Sequence, residues 1–594
     1  MNHGRATRKR VGVVLVGMGL AASGLLYQLI RVQFGPYAPI FAAQTGSTLI
    51  VQKVAPTRGL VFDRGGELLA TNATLYYVEV EVAQLTEQSQ QAIASVLAEL
   101  TGLPHADLQD QLNRDWIEEQ GLYRIRLTKK LEQGRTFPIT IDRMGAEVLQ
   151  AFLDDPSAPD LSGLALVPTS ERVYPSGKVA GHVLGFVNRE GEGFFGVEGY
   201  YDDWLAGKPI TVERGLIPPE ARLQPDAPAG VNLVLTIDLE IQQMVESELE
   251  KAIERSGAEG GQVIVMDPRN GEILAMAAWP ALDPNQYDEW LGDDGGDEPI
   301  ITPAVGGQFE PGSTFKVLTM ASALDMGAVA PEEEFIDTGE IEVGGHLIRN
   351  WNAEAWGPQS MIGCLQHSLN VCLAYVASEK LGAASFYSYL NEFGIGQPTG
   401  IDLASEVSGQ LRTPRHPLWT EADLGTNAFG QGVSVTPVQL LTAIAAVANE
   451  GVMVQPHVVR EVVGPQGVYW PKAAVLGRPI SQQTARSLTR MLTESLEGES
   501  SSALLEGYQI AGKTGTAQVP TDFGYDPNKT VASFVGWGPV GEPRFIVLVR
   551  LDKPSISPWG SVVAAPVFRA LAERLVVLLE IPPDAIREQF ALGE

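Results

Sequence analysis

Gln509-Ile510-Ala511-Gly512-Lys513-Thr514-Gly515-Thr516-Ala517-Gln518 reads as a β-strand, and what lies around it decides the fold. Small, apolar and β-branched residues fill the stretch, and neither proline nor a helical apolar period interrupts it. Two more strands follow, Val531 to Gly536 and Arg544 to Arg550, and Ala565 to Leu579 has a helical period. Far upstream, Gln262 to Asp267 and Glu272 to Ala278 form a strand pair joined by the turn Pro268-Arg269-Asn270-Gly271. A long helical region separates the two groups. Strands at both ends with helices between them predict an α+β domain on one antiparallel sheet.

Two other stretches belong chemically with Lys513-Thr514-Gly515: Ser313-Thr314-Phe315-Lys316 and Ser368-Leu369-Asn370. Pro311-Gly312 breaks the chain before Ser313, and Thr314 to Met326 then reads as an apolar helix. Ser313 is thus expected at a helix N-terminus, where the dipole favours negative charge on an acyl oxygen. Lys316 falls on the same helix face. A serine hydroxyl needs an adjacent base, and a lysine serves as one when burial or a second cation keeps it neutral. Lys513 is the candidate second cation.

Ser368 and Asn370 fall in a break between the apolar segments Met361 to Leu365 and Val371 to Leu381. There a hydroxyl can relay a proton and an amide can orient Lys316 and a peptide carbonyl. Thr514 and Thr516 alternate onto one strand face with hydroxyls for a carboxylate, and Gly515 leaves room for a peptide to lie along the strand. The backbone N–H groups of Ser313 and Thr516 complete an oxyanion hole. Singly, each stretch has a blander reading: a capping serine, a helix N-cap, a kinked edge strand with a solubilising lysine. Together and in this order they describe serine acyl transfer without histidine. His367 is read as packing, since no Gly-x-Ser-x-Gly elbow surrounds any serine.

A chain of 594 residues exceeds one core, so two or more domains are expected. The formal net charge of -30 argues against a nucleic-acid partner. Gly191-Glu192-Gly193-Phe194-Phe195-Gly196 matches the dinucleotide fingerprint literally, but it lacks the βαβ context and reads as a glycine-rich turn. The run Asp293 to Glu298 reads as a solvated loop rather than a calcium site. The histidines show no zinc-ligand spacing. Cys364 and Cys372 are expected as buried free thiols, because eight residues of continuous helix would hold them too far apart. A loop at Ser368 would permit a bridge.

Val11 to Ile30 is uncharged and, at about 20 residues, long enough to cross a bilayer as a helix. Arg5, Arg8, Lys9 and Arg10 precede it, which leaves the N-terminus cytoplasmic and the rest outside. No small-x-small cleavage site follows, so an uncleaved anchor is favoured over a signal peptide. Beyond it, Val51 to Asn72 reads as short strands, and Ala83 to Leu153 as helical with an interruption near Thr136-Phe137-Pro138. Leu164 to Gly199, including Gly181 to Val187, is strand-rich. Leu216 to Pro228 is a linker. Val231 to Thr236 is a strand, and a helix starts at Leu239.

The three catalytic stretches are those of penicillin-binding proteins and class A β-lactamases. The chain as a whole resembles a class B penicillin-binding protein. It shares Arg58-Gly59 with Asp63-Arg64-Gly65-Gly66, Gly196-Val197-Glu198-Gly199-Tyr200-Tyr201, Leu235-Thr236-Ile237-Asp238 with Gln242, Phe429-Gly430-Gln431-Gly432 and Ser533-Phe534-Val535-Gly536. The last, after Ala511 to Ala517, is closer to the division-associated branch than to the elongation branch. The resemblance implies a β-lactamase-like transpeptidase domain over 231–594. Before it would come an elongated pedestal over 32–230, a transmembrane anchor over 11–31 and a cytoplasmic tail over 1–10. It implies peptidoglycan D,D-transpeptidation through Ser313, Lys316, Ser368, Asn370 and Lys513, with Thr514, Gly515 and Thr516 binding the D-Ala-D-Ala stem. It further implies β-lactams as covalent inhibitors, a SEDS-type glycosyltransferase as partner, and no metal or organic cofactor. A β-lactamase, a membrane β-lactam sensor and a D,D-carboxypeptidase share the site. The long pedestal argues against the first, and the ten residues before Val11 are too few for the second's cytoplasmic signalling domain.

Overall fold

The computed structural model describes residues 22–24, 27, 49–54, 56–130, 136–155, 157–215, 227–289, 302–472, 474–498, 500–521 and 524–591. Most of the expected anchor, most of the linker at 216–228 and the acidic run at 293–298 lie outside them. Among the described residues no helix is long and apolar enough to cross a membrane. Two compact units divide the chain, one from residues 1–58 and 207–230, the other from 59–206 and 231–594. The described part of the first unit includes an antiparallel pair in which Leu49 faces Gly215 and Val54 faces Ile210.

The second unit holds the expected sheet. After helix α1 (Leu239–Ser256) come strands β1 (Gly260–Met266) and β2 (Ile273–Trp279); β3 (Ala511–Thr521), β4 (Gly524–Gly538) and β5 (Phe545–Asp552) arrive much later. The order is β2-β1-β5-β4-β3, with every neighbour antiparallel. Both faces are buried, as the alternation dictates. Val263, Val265, Phe534, Val547 and Val549 share one core with α1 and a C-terminal helix, Ala565–Leu578. Ile264, Met266, Val535, Ile546 and Leu548 face a helical lobe built around Lys316–Asp325 and Pro437–Ala448. β3 is therefore an edge strand, with one row of backbone groups free of the sheet.

A second, eight-stranded sheet joins the N-terminal part to the rest. Six of the strands form a path, Gly467–Tyr469, Val459–Gly464, Asn232–Leu235, Val61–Phe62, Leu68–Glu81 and Arg124–Arg126, and the other two, Thr140–Ile141 and Leu164–Val173, pair with Leu68–Glu81. Asn232–Leu235 lies parallel to Val61–Phe62, with Leu233 opposite Val61. The boundary expected at 230/231 thus falls beside a strand that pairs with residues from before it. Arg172 reinforces the junction: its Nε meets Glu198 at 2.7 Å and its Nη1 donates to the Gly59 carbonyl at 2.7 Å. Both charged side chains are almost fully buried.

The structure corrects three local expectations. The helical run over 83–153 is interrupted by a whole strand cluster, Arg124–Arg126, Thr128–Lys130, Thr136–Pro138 and Thr140–Ile141. Leu127 and Ile139 point into the core there, and threonines and Pro138 favour extended backbone over helix. Gly181–Leu184 is a helical turn rather than a strand, and only Phe186–Val187 is extended. Cys364 and Cys372 are bonded to each other, with Cα atoms 6.1 Å apart. The helix expected between them breaks at Ser368, so the distance that a continuous helix would impose does not arise.

Candidate active site

Ser313 sits in a 3₁₀ turn, Gly312–Phe315, that runs directly into the helix Lys316–Asp325. Thr314, Phe315 and Lys316 are buried, whereas Ser313 is partly exposed. The turn is pinned from inside by Thr314 Oγ1, which donates to the Pro311 carbonyl at 2.7 Å. Gly312 adopts φ 55°, and a Cβ there would lie 2.9 Å from the Thr516 carbonyl oxygen. Only glycine lets the serine's turn approach β3 so closely.

Ser368 occupies the break between the helices Met361–Gln366 and Asn370–Tyr375, and Asn370 opens the second of them. Ser368 has φ 52°, a left-handed conformation that a non-glycine residue adopts only under constraint. The Cys364–Cys372 bridge spans this break, and Leu369 N donates to the Cys364 carbonyl at 2.9 Å. Asn370 Nδ2 donates to the Arg349 carbonyl at 3.1 Å, which fixes its amide oxygen toward the lysine. His367 packs on Trp356, with ring centroids 4.2 Å apart, as the sequence suggested.

Four of the side chains, those of Lys316, Ser368, Asn370 and Lys513, meet, whereas the Ser313 hydroxyl makes no hydrogen bond to them among the described residues. Lys316, fully buried, donates from Nζ to the Ser368 carbonyl at 2.6 Å, to Asn370 Oδ1 at 2.8 Å and to Ser368 Oγ at 3.2 Å. Lys513 Nζ reaches the same Ser368 hydroxyl at 3.1 Å and Thr514 Oγ1 at 3.3 Å. Two amine groups thus converge on one hydroxyl.

On β3, Thr514 and Thr516 are both partly exposed and alternate with buried Lys513, Gly515 and Ala517, as expected. Gly515 has a packing role as well. A Cβ there would overlap Ser533 Oγ and come within 2.9 Å of Thr314 Cγ2 and 3.0 Å of the Pro311 carbonyl. Its smallness lets the strand pack against the Ser313 turn. Gly560 N donates to Thr516 Oγ1 at 3.2 Å, so that hydroxyl keeps its own proton for an acceptor. The Arg349 carbonyl and the Gly560 N–H were not foreseeable, because backbone groups of any residue type would do.

Residues 261–573 match the family model of the penicillin-binding protein transpeptidase domain, and 53–213 that of the penicillin-binding protein dimerisation domain. Stage V sporulation protein D of Bacillus subtilis is 33% identical over 86% of this chain and 77% of its own length. Peptidoglycan D,D-transpeptidase FtsI of Escherichia coli is 29% identical over 91% of this chain and 86% of its own. The structure of penicillin-binding protein 3 from Mycobacterium tuberculosis, complexed with aztreonam, superposes with a TM-score of 0.66 at 25% identity, covering 90% of this chain and 98% of that one. With its serine turn, its two lysines and its edge strand so arranged, the chain belongs to the penicillin-binding protein family, with a transpeptidase domain preceded by a dimerisation domain.

Proposed function

We propose that the protein is a peptidoglycan D,D-transpeptidase that cross-links stem peptides through an acyl-enzyme on Ser313. The convergence of Lys316 and Lys513 on Ser368 Oγ carries this reading. Ser313 Oγ attacks the carbonyl of the penultimate D-Ala and passes its proton to neutral Lys316. The oxyanion is held by the backbone N–H groups of Ser313 and Thr516. The terminal D-Ala leaves as an amine, protonated through the Ser368 hydroxyl from the lysine pair. An amine of a neighbouring stem then attacks the ester, its proton returns along the same route, and Ser313 is regenerated with the cross-link formed. Thr514, Gly515, Thr516 and Lys513 hold the substrate's carboxylate end and backbone at the free edge of β3.

β-Lactams acylate the same serine as slow substrates. The septal role is supported by the resemblance of the Ala511 to Gly536 region to the division branch. The uncharged run Val11 to Ile30 supports a single-pass anchor with the catalytic domain outside the cytoplasm, and the N-terminal part is the surface for a SEDS-type glycosyltransferase. A fluorescent penicillin is expected to label the protein covalently and Ser313→Ala to abolish labelling; a labelled mutant would refute the nucleophile. Depletion in the cell tests the role, with filamentation expected and rounding pointing to elongation instead.

A further inference from the structure

Lys513 and Ser368 join the edge strand to the serine loop from inside, and the same two walls touch a second time at the surface. Trp351 follows the hairpin of Glu340–Val343 with His346–Arg349, and its Nε1 donates at 3.2 Å to the carbonyl of His367, the residue before Ser368. Its buried neighbour Asn350 fixes this turn, donating to Asp337 Oδ2 at 2.8 Å and accepting from Val371 N at 3.2 Å. Trp559 precedes Gly560, whose N–H holds Thr516 Oγ1. A Cβ on Gly560 would overlap the Gly515 and Ser533 carbonyl oxygens, so this backbone lies directly on β3 and β4. The two indoles meet edge to face, with centroids 5.1 Å apart and planes at 68°. They are 44% and 40% exposed, which puts the contact at the rim.

Beneath that contact the site has a discrimination to make. An amine that resolves the ester on Ser313 gives a cross-link, whereas water gives only a shortened stem. Lys316, Ser368 and Lys513 take a proton from either nucleophile and do not tell them apart, and water is far the more abundant. Selection then rests on what reaches the ester. Closing a site with apolar groups expels water and suppresses such side reactions. An edge-to-face pair favours contact over separation by only about two- to tenfold, so the rings part for a ligand that covers them. A peptide that bears the amine can cover them; water cannot.

We infer that Trp351 and Trp559 form a strap across the mouth of the site that shields the Ser313 ester from water and opens for a peptide-borne amine. The two indoles thereby set acceptor specificity. Hydrolysis, the step they retard, joins a water oxygen to the acyl carbon and breaks the bond to Ser313 Oγ. One water proton goes to that oxygen, and the hydroxyl stays with the released acid. This deepens the transpeptidase reading and rests on it.

The test times the loss of a fluorescent penicilloyl group from the full chain in buffer, where water is the acceptor. Trp351→Ala and Trp559→Ala are each expected to release it about three- to tenfold faster than wild type, the closed fraction having been lost. Trp351→Phe and Trp559→Phe keep a ring at the contact and should stay within about twofold of wild type. The double alanine variant should release the group no faster than the quicker single, because either loss opens the strap. A damaged site releases its ester more slowly, since the same amines activate the water, so acceleration does not arise from misfolding. Three results overturn the inference: release at the wild-type rate or slower in either alanine variant, phenylalanine variants as fast as the alanine ones, or multiplying effects in the double. Labelling that Ser313→Ala abolishes would still uphold the transpeptidase reading. A wild type that penicillin does not label overturns both.

Discussion

Lys316 and Lys513 donate to one oxygen, the Ser368 hydroxyl, at 3.2 and 3.1 Å, although one lies on a helix and the other on the edge strand. The hydroxyl thus lies within hydrogen-bond reach of both amines, which is the placement a proton relay between them requires. Lys316→Ala is expected to slow acylation by penicillin by roughly 10²–10⁴-fold, the range for a positioned acid–base group. Lys513→Ala should cost less in the acylation step and more in affinity for donors that carry a free carboxylate. Time-resolved labelling separates the two, and equal loss in both variants would contradict the division of labour.

Gly515 is a packing requirement at the heart of the site. Its Cβ in Gly515→Ala would come within 2.9 Å of Thr314 Cγ2, so β3 must move away from the serine's turn. We expect a stability loss of about 1–3 kcal/mol, as for other overpacked sites. Acylation should fall further than that loss alone explains, because the Ser313 and Thr516 N–H groups part. Thermal melts alongside penicillin labelling check both; a variant that is destabilised yet labels at the wild-type rate would exclude the coupling.

The Cys364–Cys372 bridge closes a loop of sequence separation 8 around Ser368. Replacing both cysteines by alanine is expected to lower stability by about 2–3 kcal/mol on the chain-entropy account. It should also slow acylation, since the left-handed Ser368 loses the covalent tie across its break. An unchanged labelling rate in a folded double variant would show that the hydrogen bonds alone hold the loop.

Arg172→Ala removes a buried charge partner from Glu198, which is buried to the same degree, and also abandons the Gly59 carbonyl. Breaking such a pair from one side typically costs about 3–5 kcal/mol. Urea unfolding should show that loss. A drop below about 1 kcal/mol would mean that water replaces the guanidinium, in the range of exposed pairs.

Asp325 supplies a pH dependence. Burial raises its carboxyl, but the Ser481 N–H at 2.7 Å, the Thr484 hydroxyl at 2.9 Å and the Tyr389 hydroxyl at 3.0 Å outweigh that and hold it below the usual carboxylate range. A depressed folded-state value means its contribution is present above the unfolded value and is lost as pH falls through the folded one. Asp325→Asn should be less stable than wild type near neutrality, and the gap should narrow below about pH 4. A gap that stays constant from pH 7 to 3 would refute this.

The chemistry was legible in the sequence because it depends on residue type: Ser313, Lys316, Ser368, Asn370 and Lys513 each carry a group that nothing else nearby supplies. The edge strand was legible too, from its composition and from the strands that flank it. Three things were not. The role of Gly515 depends on what faces a missing side chain, and Thr314 and Ser533 are distant in sequence. The cysteine pairing turned on one residue's backbone, Ser368, whose left-handed φ no propensity predicts. The strands near Leu127 and Ile139 are too short to show a period against the helices on either side.

Because Asn232–Leu235 takes its parallel neighbour from Val61–Phe62, the polypeptide cannot be trimmed at its apparent seam. A recombinant fragment starting at Val231 would present an orphaned β-edge to other molecules and invite self-association. A soluble catalytic fragment must keep the chain from Gly59 onward, so whatever acts on the N-terminal part is mechanically wired, through shared main-chain bonds, to the body that holds the serine.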